Sequence, residues 1–407
     1  MDWPQLFSSL PESPSGAPAR RSLAPVPEGY DGLLLTRLAQ AAAPRVLVHI
    51  CRNGSRLAAL KELAAFYAPD LEIISFPAWD CLPYDRVSPH ADVVAERLAT
   101  LSALLARDAA KPCLVLTTAN GAGIKTPPPE FLKQARLSLA TGQEMRTEDL
   151  RAALAGSGYQ AVSTVREPGE FAIRGDIADL FPAGHESPVR IDRFGDTIES
   201  LKTFDPLTQR TTGVLDALRL DPAREILLTQ DAIQRFRLGY RALALKTGLE
   251  QDPLFAAISA GQFYAGMEHW LPLFHDRLAS LSDYTGAPIL SLDHEAESAM
   301  ASRAAQIEDY HQQRVRLAKS DGYYPVEPAS LYLQPEEILN AAAMVLAFQP
   351  VPAPEAQELP VSRAEDFTPS RTQPGRNLYA DVTAAIRALQ KEKKQVLLAA
   401  YSDGSRD

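Results

Sequence analysis

Residues 169–211 read GEFAIRGDIADLFPAGHESPVRIDRFGDTIESLKTFDPLTQRT. Apolar and polar residues alternate through runs at 170–181, 188–194 and 197–204, the period of strands that bury one face. Gly195-Asp196 lies between the last two runs and has the composition of a two-residue hairpin turn. A further strand-like run covers 159–165, and a short helix, Thr147 to Ala155, comes before it and is stopped by Gly156 and Gly158. Strands following one another around a single helix predict an antiparallel α+β domain, here spanning 135–223.

The pattern on either side is different. Before it, helical stretches (33–42, 55–67, 92–107) alternate with short apolar runs (46–50, 71–76, 113–117), as in a parallel sheet covered by helices. After it, helical periodicity resumes near 224, a short strand falls within 284–294, and Ala296 to Arg316 reads as a long amphipathic helix. Pro335 opens another helix at its first position, where a missing N–H costs nothing. Met344 to Phe348 reads as the last strand of the same sheet. The expected organisation is a parallel α/β domain (31–134 and 224–349) split by the α+β insert at 135–223.

Residues 1–30 are expected to be poorly ordered, with 11–31 rich in Pro, Ser, Gly and Ala. Residues 350–375 carry Pro350, Pro352, Pro354, Pro360, Pro369 and Pro374 and read as a semi-rigid linker. Helix 380–391 and strand 395–401 begin a small α/β domain over 376–407. That domain reads as cut short, so the chain is expected to be part of a longer protein.

Of 407 residues, 46% are hydrophobic and 23% charged, which places the chain among ordinary globular proteins. A net charge of −10 opposes a broad nucleic-acid-binding face, because phosphates are held by clustered Lys and Arg. Three scattered cysteines without a CxxC pair fit a reducing cytoplasm and offer no metal or disulfide framework. The seven histidines also lack ligand spacing, so no metal site is expected. No run approaches the roughly 18 apolar residues of a membrane span, nor does the start resemble a signal peptide. A cytoplasmic protein without a membrane partner is expected.

In the insert, alternation turns Val189 and Ile191 inward and puts Arg190, Asp192 and Phe194 on the opposite face. Phe171 and Ile173 likewise share a face, with Arg174 on the other. Arginines and an outward aromatic together are the composition of an interface anchor. From the residues alone, the plainer arrangement is favoured: Arg174 and Arg190 pair with Asp176 or Asp192, and Phe194 is half-buried at the strand end. Trp79 to Tyr84 and the pair His269-Trp270 read as packed aromatics. Asn120-Gly-Ala-Gly-Ile-Lys-Thr126 ends like a phosphate loop but has Ile124 where a glycine is needed, and reads as a loop after a strand.

Three stretches carry a family resemblance: FPAWDCLPYDRVSPHADVVAERLATL (76–101), the insert segment 169–211, and GMEHWLPLF (266–274). Together they resemble the bacterial transcription-repair coupling factors, the Mfd proteins, over about residues 30 to 407. The insert is similar to one shared with the excision-repair protein UvrB. The resemblance implies a UvrB-like, helicase-type parallel-sheet domain with a degenerate nucleotide site, split by a domain that binds the repair ATPase UvrA. It places Arg174, Arg190 and Phe194 on UvrA-contact positions and Asp192 where UvrB carries an acidic contact. Arg193 departs from the family, which often has Phe there.

The same resemblance places the phosphate loop at Pro25-Val-Pro-Glu-Gly-Tyr-Asp31. Gly29 is present, but Tyr30 stands in place of the lysine and Asp31 in place of the hydroxyl that would meet Mg²⁺. A prolyl nitrogen cannot donate and a carboxylate repels phosphate, so no cofactor is expected. UvrB's strand-separating hairpin has no room between Phe76 and Leu101. The implied function is a non-enzymatic adaptor that brings UvrA to a stalled RNA polymerase. The family's polymerase-binding, DNA-translocating and ATP- and Mg-dependent parts would lie beyond residue 407. Two other readings, a damage-verifying ATPase like UvrB and a DNA-binding module, are opposed by Tyr30 and Asp31 and by the acidic balance.

Overall fold

The computed structural model describes residues 18–244, 252–361, 365–373, 375–396 and 398. The chain divides into two compact units, 1–358 and 359–407. In the first, seven parallel strands form one sheet in the order β15-β1-β14-β13-β2-β4-β3. They are β1 (Ala19–Ala24), β2 (Leu47–Cys51), β3 (Glu72–Phe76), β4 (Cys113–Thr118), β13 (Ile289–Leu292), β14 (Met344–Phe348) and β15 (Gln357–Glu358). β2, β13 and β14 are buried at every residue. Helices cover both faces of such a sheet, which is why its central strands are unbroken apolar runs.

Helices α1 (Tyr30–Ala42), α2 (Gly54–Tyr67) and α3 (Ala91–Ala106) connect the first strands. Asn53 caps α2 by accepting from the Arg56 amide, the usual use of a short polar side chain at a helix start. A second core is aromatic: Trp79, Tyr84, Phe236, Tyr240, Trp270, Phe274 and Tyr332 are among its buried members. His269 is buried against Trp79, with ring centroids 5.8 Å apart. The packed roles expected of Trp79, Tyr84, His269 and Trp270 are what the structure shows.

Several expectations need correction. The stretch 11–31, expected as loop, contains β1, whose register runs from Ala19 opposite Met344 to Leu23 opposite Phe348. Only Leu23 and Ala24 of that strand are buried, so its sequence carries no alternation to read, and pairing with β14 makes it a strand. The linker expected at 350–375 supplies β15 at its start, beside β1, and a short helix, Thr368–Thr372. The run at 170–181 is two strands joined at Gly175, where φ is +59°, and the run at 159–165 contributes only Gln160–Ala161. The loop expected after β4 begins with a helical turn, Ala119–Ala122, and the Lys125 ammonium donates to the Ala329 carbonyl at 2.6 Å. The long helix runs on to Asp321. In the second unit the expected helix is Leu378–Lys391, and the strand expected at 395–401 lies for the most part outside the described residues.

The insert has its own six-stranded sheet, ordered β11-β10-β9-β8-β7-β6, which is antiparallel except for β6 with β7. Its strands are β6 (Gln160–Ala161), β7 (Glu170–Arg174), β8 (Ile177–Leu180), β9 (Val189–Phe194), β10 (Thr197–Phe204) and β11 (Thr211–Leu215). Two further strands, β5 (Leu137–Ala140) and β12 (Ala217–Leu220), pair antiparallel where the chain enters and leaves the insert. Helix α4 (Thr147–Gly156) buries Leu150 and Leu154 in the same core as Phe171, Leu180, Val189, Ile191, Ile198 and Leu201. Among the described residues, no helix is long and apolar enough to cross a membrane.

Candidate functional site

Residues directly opposite one another in an antiparallel pair point to the same side of the sheet. Register therefore lays out the face of the insert that points away from the core. One row across it is Arg174, Ile177, Asp192, Ser200; the next is Ala172, Asp179, Arg190, Lys202, Val214. Phe194 stands two residues beyond Asp192, at the tip of the β9–β10 hairpin, opposite Thr197. The face is mixed. Phe194 is 76% exposed, Val214 70% and Ile177 43%, open apolar groups scattered among charges.

Each charged member has a definite partner. Arg190 grips Asp179 with two parallel hydrogen bonds, Nε to Oδ1 at 2.7 Å and Nη2 to Oδ2 at 2.9 Å. Its Nη2 also donates to Gln209 at 3.2 Å, and its guanidinium lies 4.8 Å from the Phe204 ring centroid. The hydrogen bonds to Asp179, which is buried, hold Arg190 above the ordinary arginine range, although partial burial of the guanidinium works the other way. Asp192 accepts from Lys202 Nζ at 2.7 Å and Ser200 Oγ at 2.9 Å. Burial works to raise the Asp192 carboxyl, and those two hydrogen bonds outweigh it, so the group sits below the usual carboxylate range. Arg174 is exposed and donates to the Ser163 carbonyl and, at 3.3 Å, to Thr164 Oγ1.

The four residues singled out from the sequence, Arg174, Arg190, Asp192 and Phe194, do share this face. The pairings expected from sequence are not the ones found. Arg190 takes Asp179 and Asp192 takes Lys202, because register sets Asp179 opposite Arg190. Phe194 is open to solvent instead of half-buried. Asp179, Lys202, Ile177 and Val214 were not anticipated as members; their places depend on the turn at Gly175 and on β11. Arg193, the departure from the family, points to the core side and is buried. Its Nη2 donates to the Gly175 carbonyl at 2.9 Å and its backbone amide to Asp176 at 2.9 Å, closing the β7–β8 turn from below.

A second cluster lies where β1 leads into α1. Gly29 has φ +95°, and the amides of Gly29 and Gly32 each donate to Asp31 Oδ1 at 2.9 Å. Arg56, from α2, donates Nη2 to Asp31 Oδ2. Arg52 bridges Glu28 at 2.7 Å and Asp293 at 3.4 Å. Tyr30 is half-buried, and burial raises its hydroxyl above the ordinary tyrosine range. Among the described residues, no group of three or more His, Cys, Asp or Glu is placed to hold a metal ion. Cys51, Cys81 and Cys113 are unpaired thiols, each pushed up to about 12 by burial.

The comparisons with known proteins agree on one family. Residues 137–226 match the family described as the UvrB interaction domain, which covers the insert from β5 onward and its point of return. The transcription-repair-coupling factor of Haemophilus influenzae is 31% identical over 329 residues, 81% of this chain and 28% of the relative. That of Escherichia coli is 32% identical over 277 residues, 67% of this chain and 23% of the relative. That of Myxococcus xanthus is 36% identical over 230 residues, 54% and 19% respectively. The chain spans about a quarter of the length of the curated relatives it matches. With the insert's sheet and these relatives agreeing, the chain belongs with the transcription-repair-coupling factors, as their N-terminal region.

Proposed function

We propose that this chain is a recruitment module, and that the outward face of the insert docks the repair ATPase UvrA. The observation that carries the reading is Phe194: a large aromatic, 76% exposed, that the core does not use, on the same outward face as Arg174, Ile177 and Val214. An exposed aromatic next to arginine is the composition from which interface anchors are drawn. The match of 137–226 to a UvrB interaction domain supports a repair protein as the partner. On this reading the fold is a helicase-type α/β domain that no longer takes nucleotide, and the module itself catalyses nothing. Contact with stalled RNA polymerase, DNA translocation and ATP hydrolysis would fall to other parts of the full-length protein.

The test is a titration of purified UvrA against this chain and two variants. Arg174→Ala and Phe194→Ala should each weaken binding by about thirtyfold, roughly 2 kcal/mol, the loss typical of an anchor. Their melting temperatures should stay at the wild-type value, since neither side chain belongs to the insert's core. Wild-type affinity in both folded variants would move the docking site elsewhere.

A further inference from the structure

The nucleotide that a UvrB-like fold implies does not fit the junction of β1 and α1, and the reason is an acid in the way. A phosphate at a helix start is held by backbone N–H groups and a nearby cation. Here those donors already hold a carboxylate. The Gly29 and Gly32 amides meet on Asp31 Oδ1 at 2.9 Å each, and Arg56 donates to Oδ2. Asp31 is 4% exposed and Arg56 8%, so this is a closed internal arrangement and not a surface ion pair. Arg56 reaches in from another helix. Its Nε is buried without a hydrogen-bond partner and lies 3.7 Å from Asp293.

We infer that the start of α1 is an oxyanion cradle occupied by the chain's own Asp31, and that removing this side chain opens it to inorganic phosphate. The charge inventory supports it. Arg52 is satisfied by Glu28 at 2.7 Å and Asp293 at 3.4 Å. Arg56 meets Glu28 and Asp293 only at 3.7 Å each, so its close partner is Asp31 alone. Without Asp31, two amides and a buried guanidinium face a space the size of a carboxylate. A tetrahedral oxyanion supplies the acceptors they lose. A fixed internal acid thus keeps the junction closed by competition, not merely by lacking the lysine of a phosphate loop. This inference rests on the reading that the wild-type chain takes no nucleotide.

The experiment is thermal unfolding of the wild-type chain, Asp31→Ala and the double variant Asp31→Ala/Arg56→Met. Each is measured across a series of inorganic phosphate and of sodium chloride matched in ionic strength. Asp31→Ala should melt several degrees lower than wild type and regain most of that loss in phosphate, saturably. Wild type and the double variant should show only the small, linear gain that an excluded salt gives any protein. Should Asp31→Ala not fold alone, its refolding yield in phosphate against chloride reads the same property. A melting point or yield indifferent to phosphate overturns the inference, as does an equal response from wild type. Saturable binding of an ATP analogue by the wild-type chain is a separate outcome, and it would sink the no-nucleotide reading instead.

Discussion

At the scale of single residues, the outward face of the insert separates side chains that hold the fold from those free to bind. Phe194 is free in this sense, and Arg174, though exposed, bonds among the described residues only to the Ser163 carbonyl and Thr164 of a neighbouring loop. Arg190 is not, because the buried Asp179 depends on its two hydrogen bonds. Arg190→Ala strands that carboxylate, and an unpaired buried charge costs about 3 kcal/mol or more. The expected result is a variant that both melts lower and binds UvrA less well. Arg190→Ala/Asp179→Ala should recover part of the melting temperature without recovering the binding. If Arg190→Ala melts like wild type, the pair carries no stability. Strand alternation alone made the face of Arg190, Asp192 and Phe194 legible in the sequence. The partners were not legible, because they follow from register, and register here depends on a turn hidden inside an apparently continuous run.

At the scale of elements, the same distinction explains which strands could be read. β2, β4, β13 and β14 are apolar enough to announce themselves. β1, β5, β11, β12 and β15 are short or mixed, and only their neighbours make them strands. The insert's attachment was equally invisible, since it depends on close approach between distant residues. Gly184 is a clear case: a Cβ there would fall 2.2 Å from the Ala99 Cβ of α3, and its φ is +77°. Gly184→Ala should therefore lower stability by roughly 1–3 kcal/mol, combining overpacking with a strained backbone. Protease nicking of the 182–187 loop should increase in parallel. Unchanged melting and proteolysis would mean the loop is not pressed against α3. The segment that returns from the insert is pinned harder. Arg97 of α3 donates Nε to Glu225 Oε1 at 2.6 Å and Nη1 to the Pro77 carbonyl at 2.8 Å, with both ionic side chains fully buried. Glu225→Gln keeps the shape but leaves a buried guanidinium without its counter-charge, and should cost about 3 kcal/mol in denaturant unfolding. A loss below ~1 kcal/mol would show that the Phe76 ring, 4.5 Å from the guanidinium, and the Pro77 carbonyl suffice.

At the scale of the whole first unit, burial of neutral histidines ties stability to pH. Burial pushes His49 down to about 3 and His269 and His275 down to about 4, against an unfolded value near 6.5. Between those values the unfolded chain binds protons that the folded chain refuses. Stability is therefore full above about pH 6.5 and drains as pH falls toward 4. The carboxyls of Asp31 and Glu268, both buried, work the other way. Burial raises each of them, so the fold takes up those protons first and gains stability as their range is crossed. The histidine loss runs through the interval between pH 7 and 5. There, each fully depressed ring contributes up to about 2 kcal/mol at pH 5, from 1.4 kcal/mol per pH unit below the unfolded value. His269 is the ring to test, being 1% exposed and in edge contact with Trp79. His269→Gln removes the titrating group while keeping a polar side chain of similar reach. Its melting temperature at pH 7 should be lower than wild type, from lost packing. Between pH 7 and pH 5, however, it should fall by less than wild type does. Parallel melting curves across that interval would show that His269 takes up its proton inside the fold, and that the acid sensitivity of this chain has another source.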